Sequence, residues 1–490
     1  MSSPEATRYT ARDVLPLLVV AVLGVVYAVL SRYAFDAFPY SGDEYSVYLQ
    51  AEAFARGLLH TDAPAKAVLF RVDHVIIDEW VRSKYPPGAA LVLSLGVRAG
   101  VPWLVAPLEG VLTLVLAWWT ARRELGAKCA WITLLVLGLA PLFAFHASTF
   151  YSHPTSTMLL ALGFSAVSCW THDKRDGWLV ILGLSLGFVF ITRPLDAVLF
   201  GAGLLVLKSP RLVVFSIAGV VPFFAGNLWY QNRQFGSPFV DGYHVYEPTF
   251  AAIYGAVAAV HPISLLNLVS PLQQFHHIDI VRAFTVDWTV AGSVIVAIVG
   301  AFAVGPAHPA RAMRNVSIAI SLVILVTMLP MVSDPDDGAR PRYLSTVLLT
   351  VSFLAGPGWT ATRDMLSARI GLGLTRAIAV AALVFAPAQI ASFLMFRLPL
   401  HWEREGLYKA IEKDGVHDGI VVVRARFPTR YARNGPFFDR PVLYLAVPYD
   451  MPVDAVAAEF PGRDVYEAYE AFDGAEWVVR KRVGVGATGG

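Results

Sequence analysis

The sequence predicts an α-helical polytopic membrane protein with about eleven transmembrane helices and a small C-terminal extracytoplasmic α/β domain. Three observations lead to this fold class. Of the 490 residues, 56% are hydrophobic and 16% are charged, whereas a soluble domain carries about 25% charged residues. Apolar runs suited to crossing a bilayer recur through residues 1–396. From residue 397 onward the charge rises and the apolar runs shorten to strand length.

The predicted spans are mostly apolar runs close to the length of about 20 residues that a spanning helix needs. They lie at 14–33, 103–121, 127–147, 154–171, 178–192, 194–207, 212–230, 289–305, 316–332, 343–361 and 376–396. The runs 178–192 and 194–207 are short and are separated only by Arg193-Pro194, so they form either a hairpin or one broken segment.

Basic residues fall in alternate loops, which sets the orientation. The basic loops contain Arg122, Arg123 and Lys128; Lys174 and Arg175; Lys208 and Arg211; Arg311 and Arg314; and Arg363, Arg369 and Arg376. Because such loops stay in the cytoplasm, we expect a cytoplasmic N-terminus and a C-terminal domain outside the plasma (inner) membrane. The alternation also supports the number of spans, since one missed helix would break it.

Outside the spans, the chain divides by composition. We expect a transmembrane domain over 1–396, with large outer loops at 34–102 and 232–288, an α/β domain over 397–483, and a disordered Gly-rich tail at 484–490. Helical patterns at 45–59 and 87–100 predict two short helices in the first outer loop. In the C-terminal domain we expect strands at 419–424, 441–447 and 476–483 and part of a helix at 409–413.

The polar segment Ser41 to Tyr45 follows the first span and contains two adjacent acids, Asp43 and Glu44. Carboxylates near lipid are costly unless they are solvated, paired or used. Ser41 and Glu44 match the S-x-x-E capping box, with Asp43 in the positive first turn of the next helix. A helix start also suits a general base that must stay ionised. From the spacing, both interpretations stay open.

Five further outward-facing motifs carry ionisable or aromatic groups. Lys84-Tyr85 precedes a Pro pair, where the lysine either snorkels to the headgroups or meets a lipid phosphate. Arg193 lies within an apolar run and either pairs with Asp196 or binds an anion in a cavity. The remaining candidates are Tyr151 and His153 in a short loop, Arg342 and Tyr343 at the start of a later span, and a weaker metal-type cluster at His276, His277 and Asp279.

The sequence also excludes several classes of function. It contains no G-x-x-x-x-G-K-[ST] motif and no G-x-G-x-x-G in a strand-turn-helix context, so a nucleotide site is not expected. A net charge of +2 without a block of like charge argues against nucleic acid as a partner.

Taken in order, these motifs resemble those of the GT-C superfamily of integral-membrane glycosyltransferases. The chain looks most like the dolichyl-phosphate-mannose-protein mannosyltransferase-like group, which includes the aminoarabinose transferases of lipid A. The resemblance covers roughly residues 14–235, with an echo near 340. It is carried by 42–45, 53–58, 84–88, 151–154, 187–194, 235–238 and 342–343.

The resemblance implies a GT-C-like fold and transfer of a sugar, with inversion, from a polyprenyl-phosphate donor to an acceptor on the extracytoplasmic face. The acceptor class stays open among lipid, glycan and protein. By position, Asp43 would be the base and Glu44 its support or an acceptor ligand. The residues implied in donor-phosphate binding are Lys84, Tyr85, Arg193, Arg342 and Tyr343, with His153 and Tyr151 as donor or acceptor contacts.

Some relatives hold a divalent cation at the acidic loop and others do not, so a metal at Asp43 and Glu44 stays open and no other cofactor is implied. Two other classes of function also remain. A transporter or lipid flippase would show broken helices and a repeated half, of which only the break at Arg193-Pro194 is present. A non-catalytic envelope assembly protein would tolerate loss of Asp43.

Overall fold

The computed structural model describes residues 11–39, 41–246, 289–290, 292–328, 340–395, 398–424, 431, 433–445, 447, 451–470 and 476–483. Two sequence predictions lie outside these residues. They concern the cluster at His276, His277 and Asp279, and the tail 484–490.

The described residues are mainly helical. The helices are α1 (Ala11–Val29), α2 (Gly42–Ala55), α3 (Gly88–Arg98), α4 (Val105–Leu125), α5 (Ala127–Gly138), α6 (Pro141–His146), α7 (His153–Asp173), α8 (Asp176–Phe190), α9 (Pro194–Leu204), α10 (Pro210–Phe235), α11 (Ser293–Ala303), α12 (Arg311–Met328), α13 (Ser345–Ile370), α14 (Leu372–Met395), α15 (Leu398–Lys413) and α16 (Val453–Ala458). The strands are β1 (Thr61–Asp62), β2 (Val75–Ile77), β3 (Trp80–Ser83), β4 (Gly419–Arg424), β5 (Val442–Leu445), β6 (Val465–Glu470) and β7 (Trp477–Val483).

Membrane-compatible helices recur along the described chain. Five are long and apolar enough to cross a bilayer: Val14–Ala34, Pro102–Leu125, Pro210–Phe235, Arg342–Ile370 and Leu372–Ser392. Shorter apolar helices accompany them at Gly88–Arg98, Ala127–Gly138, Asp176–Phe190, Pro194–Leu207 and Ser293–Ala303. The helical membrane architecture is therefore confirmed, and the number of eleven spans stays a prediction.

One predicted span is interrupted. The run 127–147 is two helices, because α5 ends at Gly138 and α6 begins at Pro141. Proline has no N–H to donate to the preceding turn, which leaves carbonyls at the end of α5 without helical partners. The hydroxyl of Tyr27 on α1 donates to one of them, Gly138 O, at 2.5 Å.

Small residues allow the helices to pack closely, as is usual in membranes. Gly183 on α8 faces Gly219 on α10, and Gly300 on α11 faces Gly358 on α13. A Cβ atom at any of these positions would overlap the facing backbone.

The first outer loop folds into α2, a small antiparallel sheet of order β1-β3-β2, and α3. The helix predicted at 45–59 begins earlier and ends earlier, at Gly42 and Ala55. Its end is set by Gly57, whose φ of 78° is a conformation that glycine adopts without strain. The helix predicted at 87–100 is α3.

The C-terminal residues form a four-stranded sheet of order β5-β4-β6-β7, in which β5, β4 and β6 are parallel and β7 is antiparallel. Strands β4, β5 and β7 lie within the predicted ranges. The sequence analysis missed β6, because charged Glu467 and Glu470 interrupt its apolar pattern and only Val465 and Ala468 are buried.

Ion pairs join loops that the sequence assigns to the cytoplasm. Arg123 pairs with Asp173 at 2.9 Å, and Arg211 lies 3.9 Å from Asp176. The ends of the helices that the sequence assigns to the outside also meet, and they surround the start of α2.

Candidate functional site

The start of α2 is capped as its sequence predicts. Ser41 has an extended backbone, and its Oγ accepts the Glu44 N–H at 3.4 Å and donates to Glu44 Oε1 at 3.1 Å. Glu44 is fully buried, and its Oε2 accepts the backbone N–H of Phe150 at 2.9 Å. Glu44 therefore ties α2 to the loop before α7.

Asp43 points away from Glu44 and toward basic groups. Its Oδ2 lies 3.0 Å from Nη1 of Arg342, its Oδ1 accepts a hydrogen bond from the Tyr85 hydroxyl, and Nε2 of His74 lies 3.6 Å from Oδ1. Burial raises the pKa of Asp43, but the charges of Arg342, His74 and Lys84 and the Tyr85 hydrogen bond outweigh it and hold the pKa below its usual range. The Asp43 carboxylate is therefore ionised.

At neutral pH His74 carries no charge, because its pKa is lowered to about 4, so its positive charge acts on Asp43 only at acid pH. Burial lowers its pKa, Asp43 opposes the shift, and Lys84 and Arg342 add to it. The residue has a φ of 67°, which is uncommon for any residue except glycine. Backbone strain of this kind clusters at functional sites.

Lys84 lies among aromatic rings beside Asp43. Its Nζ is 5.2 Å from the ring centre of Tyr85, 5.3 Å from that of Tyr243 and 4.6 Å from that of Tyr246, within the range of cation–π attraction. Gly242 packs directly against the Lys84 backbone, where a Cβ atom would overlap it. The segment after α10 thus packs onto the turn that bears Lys84.

Arg342 is 8% exposed and is held by two tyrosines as well as by Asp43. Its Nη1 donates to the Tyr151 hydroxyl at 3.3 Å, and its Nη2 donates to the Tyr343 hydroxyl at 3.2 Å. The guanidinium also lies near both rings, at 5.4 and 5.1 Å from their centres.

Arg193 lies on the other side of this cluster, at the break between α8 and α9. Its Nε is 2.8 Å from Asp196 Oδ2, its Nη1 donates to Ser152 Oγ at 3.4 Å, and its guanidinium is 5.9 Å from the Tyr343 ring centre. Asp196 also accepts a hydrogen bond from Ser156 at 3.0 Å.

His153 is stacked on His146, with ring centres 4.3 Å apart and planes inclined by 14°. The two side chains are almost fully buried. In the described part of the chain, both ring nitrogens of His153 and Nε2 of His146 have no hydrogen-bond partner. Tyr151 and Tyr343 lie 5.6 and 6.5 Å from the His153 ring, which brings the pair to the Arg342 cluster.

Asp43 and Glu44 point toward different partners and do not converge on one position. The described residues contain no group of three or more side chains that could hold a metal ion. Glu44 bonds to Ser41 and Phe150, whereas Asp43 faces Arg342 and Lys84, whose positive charges oppose a divalent cation.

The structure thus brings together Asp43, Lys84, Tyr85, Tyr151, His153, Arg193, Arg342 and Tyr343. Glu44 points away from this cluster, toward the loop before α7. Sequence reasoning missed His74, His146, Tyr243 and Tyr246. Tyr243 and Tyr246 have helical i, i+3 spacing just after Phe235 to Pro238, which could have identified them. His74 carries no local signal, because its strained backbone is visible only in the structure.

By sequence, neither a family model nor a curated protein matches the chain. Solved structures match over nearly all of its length. ArnT from Cupriavidus metallidurans bound to undecaprenyl phosphate has a TM-score of 0.57 at 16% identity and covers 94% of both chains. The Archaeoglobus fulgidus oligosaccharyltransferase in complex with Zn and sulfate has a TM-score of 0.51 at 11% identity, over 92% of this chain and 68% of the other.

The Archaeoglobus fulgidus oligosaccharyltransferase AglB in complex with an inhibitory peptide and a dolichol-phosphate matches with a TM-score of 0.50 at 11% identity. This match covers 93% of this chain and 70% of the other. All three structures belong to the GT-C superfamily. At these identities the matches establish the fold.

Proposed function

Because the chain has the GT-C fold of integral-membrane glycosyltransferases, we propose that it transfers a sugar from a polyprenyl-phosphate donor to an acceptor hydroxyl on the extracytoplasmic face. The acceptor is a lipid, a glycan or a protein, and transfer inverts the anomeric carbon. One observation carries the proposal: an ionised Asp43 is paired at 3.0 Å with Arg342, in a fold that in ArnT holds undecaprenyl phosphate.

Asp43 is the proposed base. The acceptor oxygen attacks the anomeric carbon, the bond from that carbon to the phosphate oxygen breaks, and the hydroxyl proton passes to Asp43. A carboxylate paired with a guanidinium is a weak base. A donor phosphate that draws Arg342 toward itself raises the pKa of Asp43 at the stage when a base is needed.

Arg342 and Lys84 are the proposed cations for the leaving phosphate. A guanidinium binds two phosphate oxygens in a fixed geometry, and an ammonium adds a point charge. The hydroxyls of Tyr85 and Tyr343 add donors beside them. Preorganised donors of this kind stabilise the charge that develops on the leaving group. Arg193 contributes positive potential across the Tyr343 ring while it stays paired with Asp196.

His153 and Tyr151 are the proposed contacts for the transferred sugar. A neutral imidazole offers one donor and one acceptor, which matches a sugar hydroxyl better than it matches an anion. A buried nitrogen without a partner costs about 1–3 kcal/mol, so a hydroxyl that bonds to it gains that amount. No metal is assigned to any step.

We place the reaction outside the cytoplasm from the basic loops. The pairs Arg123–Asp173 and Arg211–Asp176 support a common side for those loops, opposite Asp43. A reporter fused after Lys413 is expected to be active only outside the cytoplasm.

Lipid profiling of a deletion strain tests the function. We expect a polyprenyl-phosphate sugar to accumulate and one envelope acceptor to lose that sugar. Wild-type protein and the control Asp78→Asn, which alters an outer-loop acid paired locally with Arg82, should reverse both changes, and Asp43→Asn should not. Unchanged carrier lipids in the deletion strain would refute the proposal.

A further inference from the structure

The C-terminal sheet shares its hydrophobic core with the first outer loop. Leu69 and Phe70, from that loop, are buried together with strand residues such as Ile420, Leu445 and Val465. The Phe70 ring lies 4.8 Å from that of Phe438. The first loop and the C-terminal residues therefore fold as one body, although more than 300 residues separate them.

A segment of the C-terminal domain, residues 434–440 (the contact segment), runs along α2. Tyr45 is 5% exposed, and its hydroxyl donates to the backbone carbonyl of Asn434. The Asn434 side chain in turn bonds to the backbone of Tyr444 on β5, at 2.8 Å to its N–H and 2.7 Å to its carbonyl. Tyr45, one residue after Glu44, is thus connected to the sheet.

Further contacts continue along the same helix and into β1. Glu52 lies 3.7 Å from Arg440, and the Arg56 guanidinium lies 3.5 Å above the Phe437 ring. The Thr61 hydroxyl donates to the Pro436 carbonyl at 2.5 Å. The contact segment therefore meets α2 on several turns.

Helix α15 approaches the same region from below the sheet. Its Arg404 is 3% exposed. Burial lowers the pKa of Arg404, and the nearby Tyr408, Asp36 and Glu44 oppose that shift. Because Arg404 interacts with Glu44, a charge of the C-terminal domain acts on the acidic pair. Glu44 in turn holds the Phe150 loop.

We infer that the C-terminal domain positions Asp43, by fixing α2 through Tyr45 and the contact segment. This inference rests on the proposed function for the role of Asp43. Tyr45 and Asn434 act as positioning residues: they face away from the site and set where the carboxylate lies. A misplacement of about 1 Å costs up to roughly 100-fold in rate, so a loosened α2 lowers turnover even when donor and acceptor still bind.

The variant Tyr45→Phe tests this role, because it removes one hydroxyl and keeps the ring. We expect kcat for sugar transfer to fall about tenfold with donor KM within about twofold. The matched control is Tyr466→Phe. It removes a hydroxyl that donates to Asp464 Oδ2 at 3.3 Å within the C-terminal sheet, and its kcat should stay within about twofold of wild type.

Two further measurements separate positioning from general stability. Asn434→Ala should lower kcat, and the double variant with Tyr45→Phe should be no worse than the poorer single variant, because both act on one connection. By hydrogen exchange, amides of α2 should exchange faster in Tyr45→Phe, with β4 and β6 as protected as in wild type.

Unchanged kcat, or unchanged exchange in α2, overturns the inference. If the wild-type protein transfers no sugar, the proposed function fails instead. In that case, hydrogen exchange of the α2 amides still tests whether the contact segment fixes this helix, because the measurement does not depend on activity.

Discussion

Two arginines approach the same tyrosine ring from different parts of the fold, and they differ in how their charge is balanced. Arg193 finds its carboxylate three residues away, in Asp196, within the first turn of α9. Arg342 finds its carboxylate 299 residues away, in Asp43 on α2. Both guanidiniums lie within 6 Å of the Tyr343 ring centre.

The difference between a local and a long-range partner indicates different roles for the two arginines. The Arg193–Asp196 pair lies within one chain segment, and Ser156 also bonds to it, so a ligand gains little by disrupting it. The Arg342–Asp43 pair instead joins two elements that are distant in sequence, α2 and the turn before α13. Side-chain exposure does not separate the two pairs, because Asp43 is more exposed than Asp196, at 19% against 5%, whereas Arg342 is less exposed than Arg193, at 10% against 16%. Because the partners of Arg193 are local, we expect a donor phosphate to compete more readily for Arg342 than for Arg193.

The largest effect is expected from Asp43→Asn, which breaks the long-range pair at its acid. The change keeps size and leaves the Ser41 cap intact. We expect sugar transfer by the purified, folded protein to fall roughly 100-fold or more, because the amide cannot accept the acceptor's proton.

Glu44→Gln is the control for the neighbouring acid. Glutamine still completes a capping box and can still accept the Phe150 N–H. We expect the loss of sugar transfer to stay within about tenfold, since Glu44 supports α2 and its side chain does not face Arg342 or Lys84. Near-normal transfer by Asp43→Asn would return Asp43 to a purely structural role.

The same contrast explains what the sequence can predict. Arg193–Asp196 and the Ser41 cap depend on residues three positions apart, so helical periodicity suffices to identify them. The helices follow apolar runs, and α5 and α6 separate because Pro141 interrupts one run. Asp43 and Arg342 were associated through the family resemblance and through their opposite charges on a common outward side, since no local pattern joins α2 to the start of α13. His74 and the contact segment were missed because their partners are distant in sequence.

The second prediction breaks the long-range pair at its arginine. Arg342→Gln removes the guanidinium beside the proposed phosphate position, so we expect kcat/KM to fall on the order of 30-fold, mainly through donor KM. Arg342→Lys keeps the charge but loses the bidentate geometry and should be intermediate. Steady-state kinetics with varied donor checks this order, and an unchanged donor KM in Arg342→Gln would contradict the assignment.

The third prediction concerns pH. Arg342 and its neighbours hold the pKa of Asp43 below its usual range, so the ionised form contributes stability above about pH 4, and this contribution is lost as the pH falls toward the depressed pKa. Under the proposed function, Arg342 turns to the phosphate in the donor complex, and we expect the pKa of Asp43 to rise there. The acid limb of kcat should therefore lie at higher pH than that of kcat/KM.

The control for the pH prediction is Arg342→Gln, which removes the main cation beside Asp43. The acid limb of kcat/KM should move to higher pH in this variant and approach that of kcat. Coincident limbs in the wild-type protein would mean that the pair stays closed when the donor binds.

The smallest effect on transfer is expected from the local pair. Arg193→Gln leaves Asp196 buried with Ser156 as its remaining partner, and an unpaired buried charge is strongly destabilising, by about 3 kcal/mol or more. Donor KM should change by no more than about threefold, because Arg193 acts on the donor only through its potential.

The double variant Arg193→Gln/Asp196→Asn removes both charges and should recover most of the lost thermal stability, since two neutral side chains can hydrogen-bond to each other. Thermal unfolding of the wild-type protein and the two variants in detergent, with donor kinetics on each, separates the effect on stability from the effect on donor binding. A donor KM that rises as much in Arg193→Gln as in Arg342→Gln would show that both arginines bind the phosphate directly, and would remove the distinction between the two pairs.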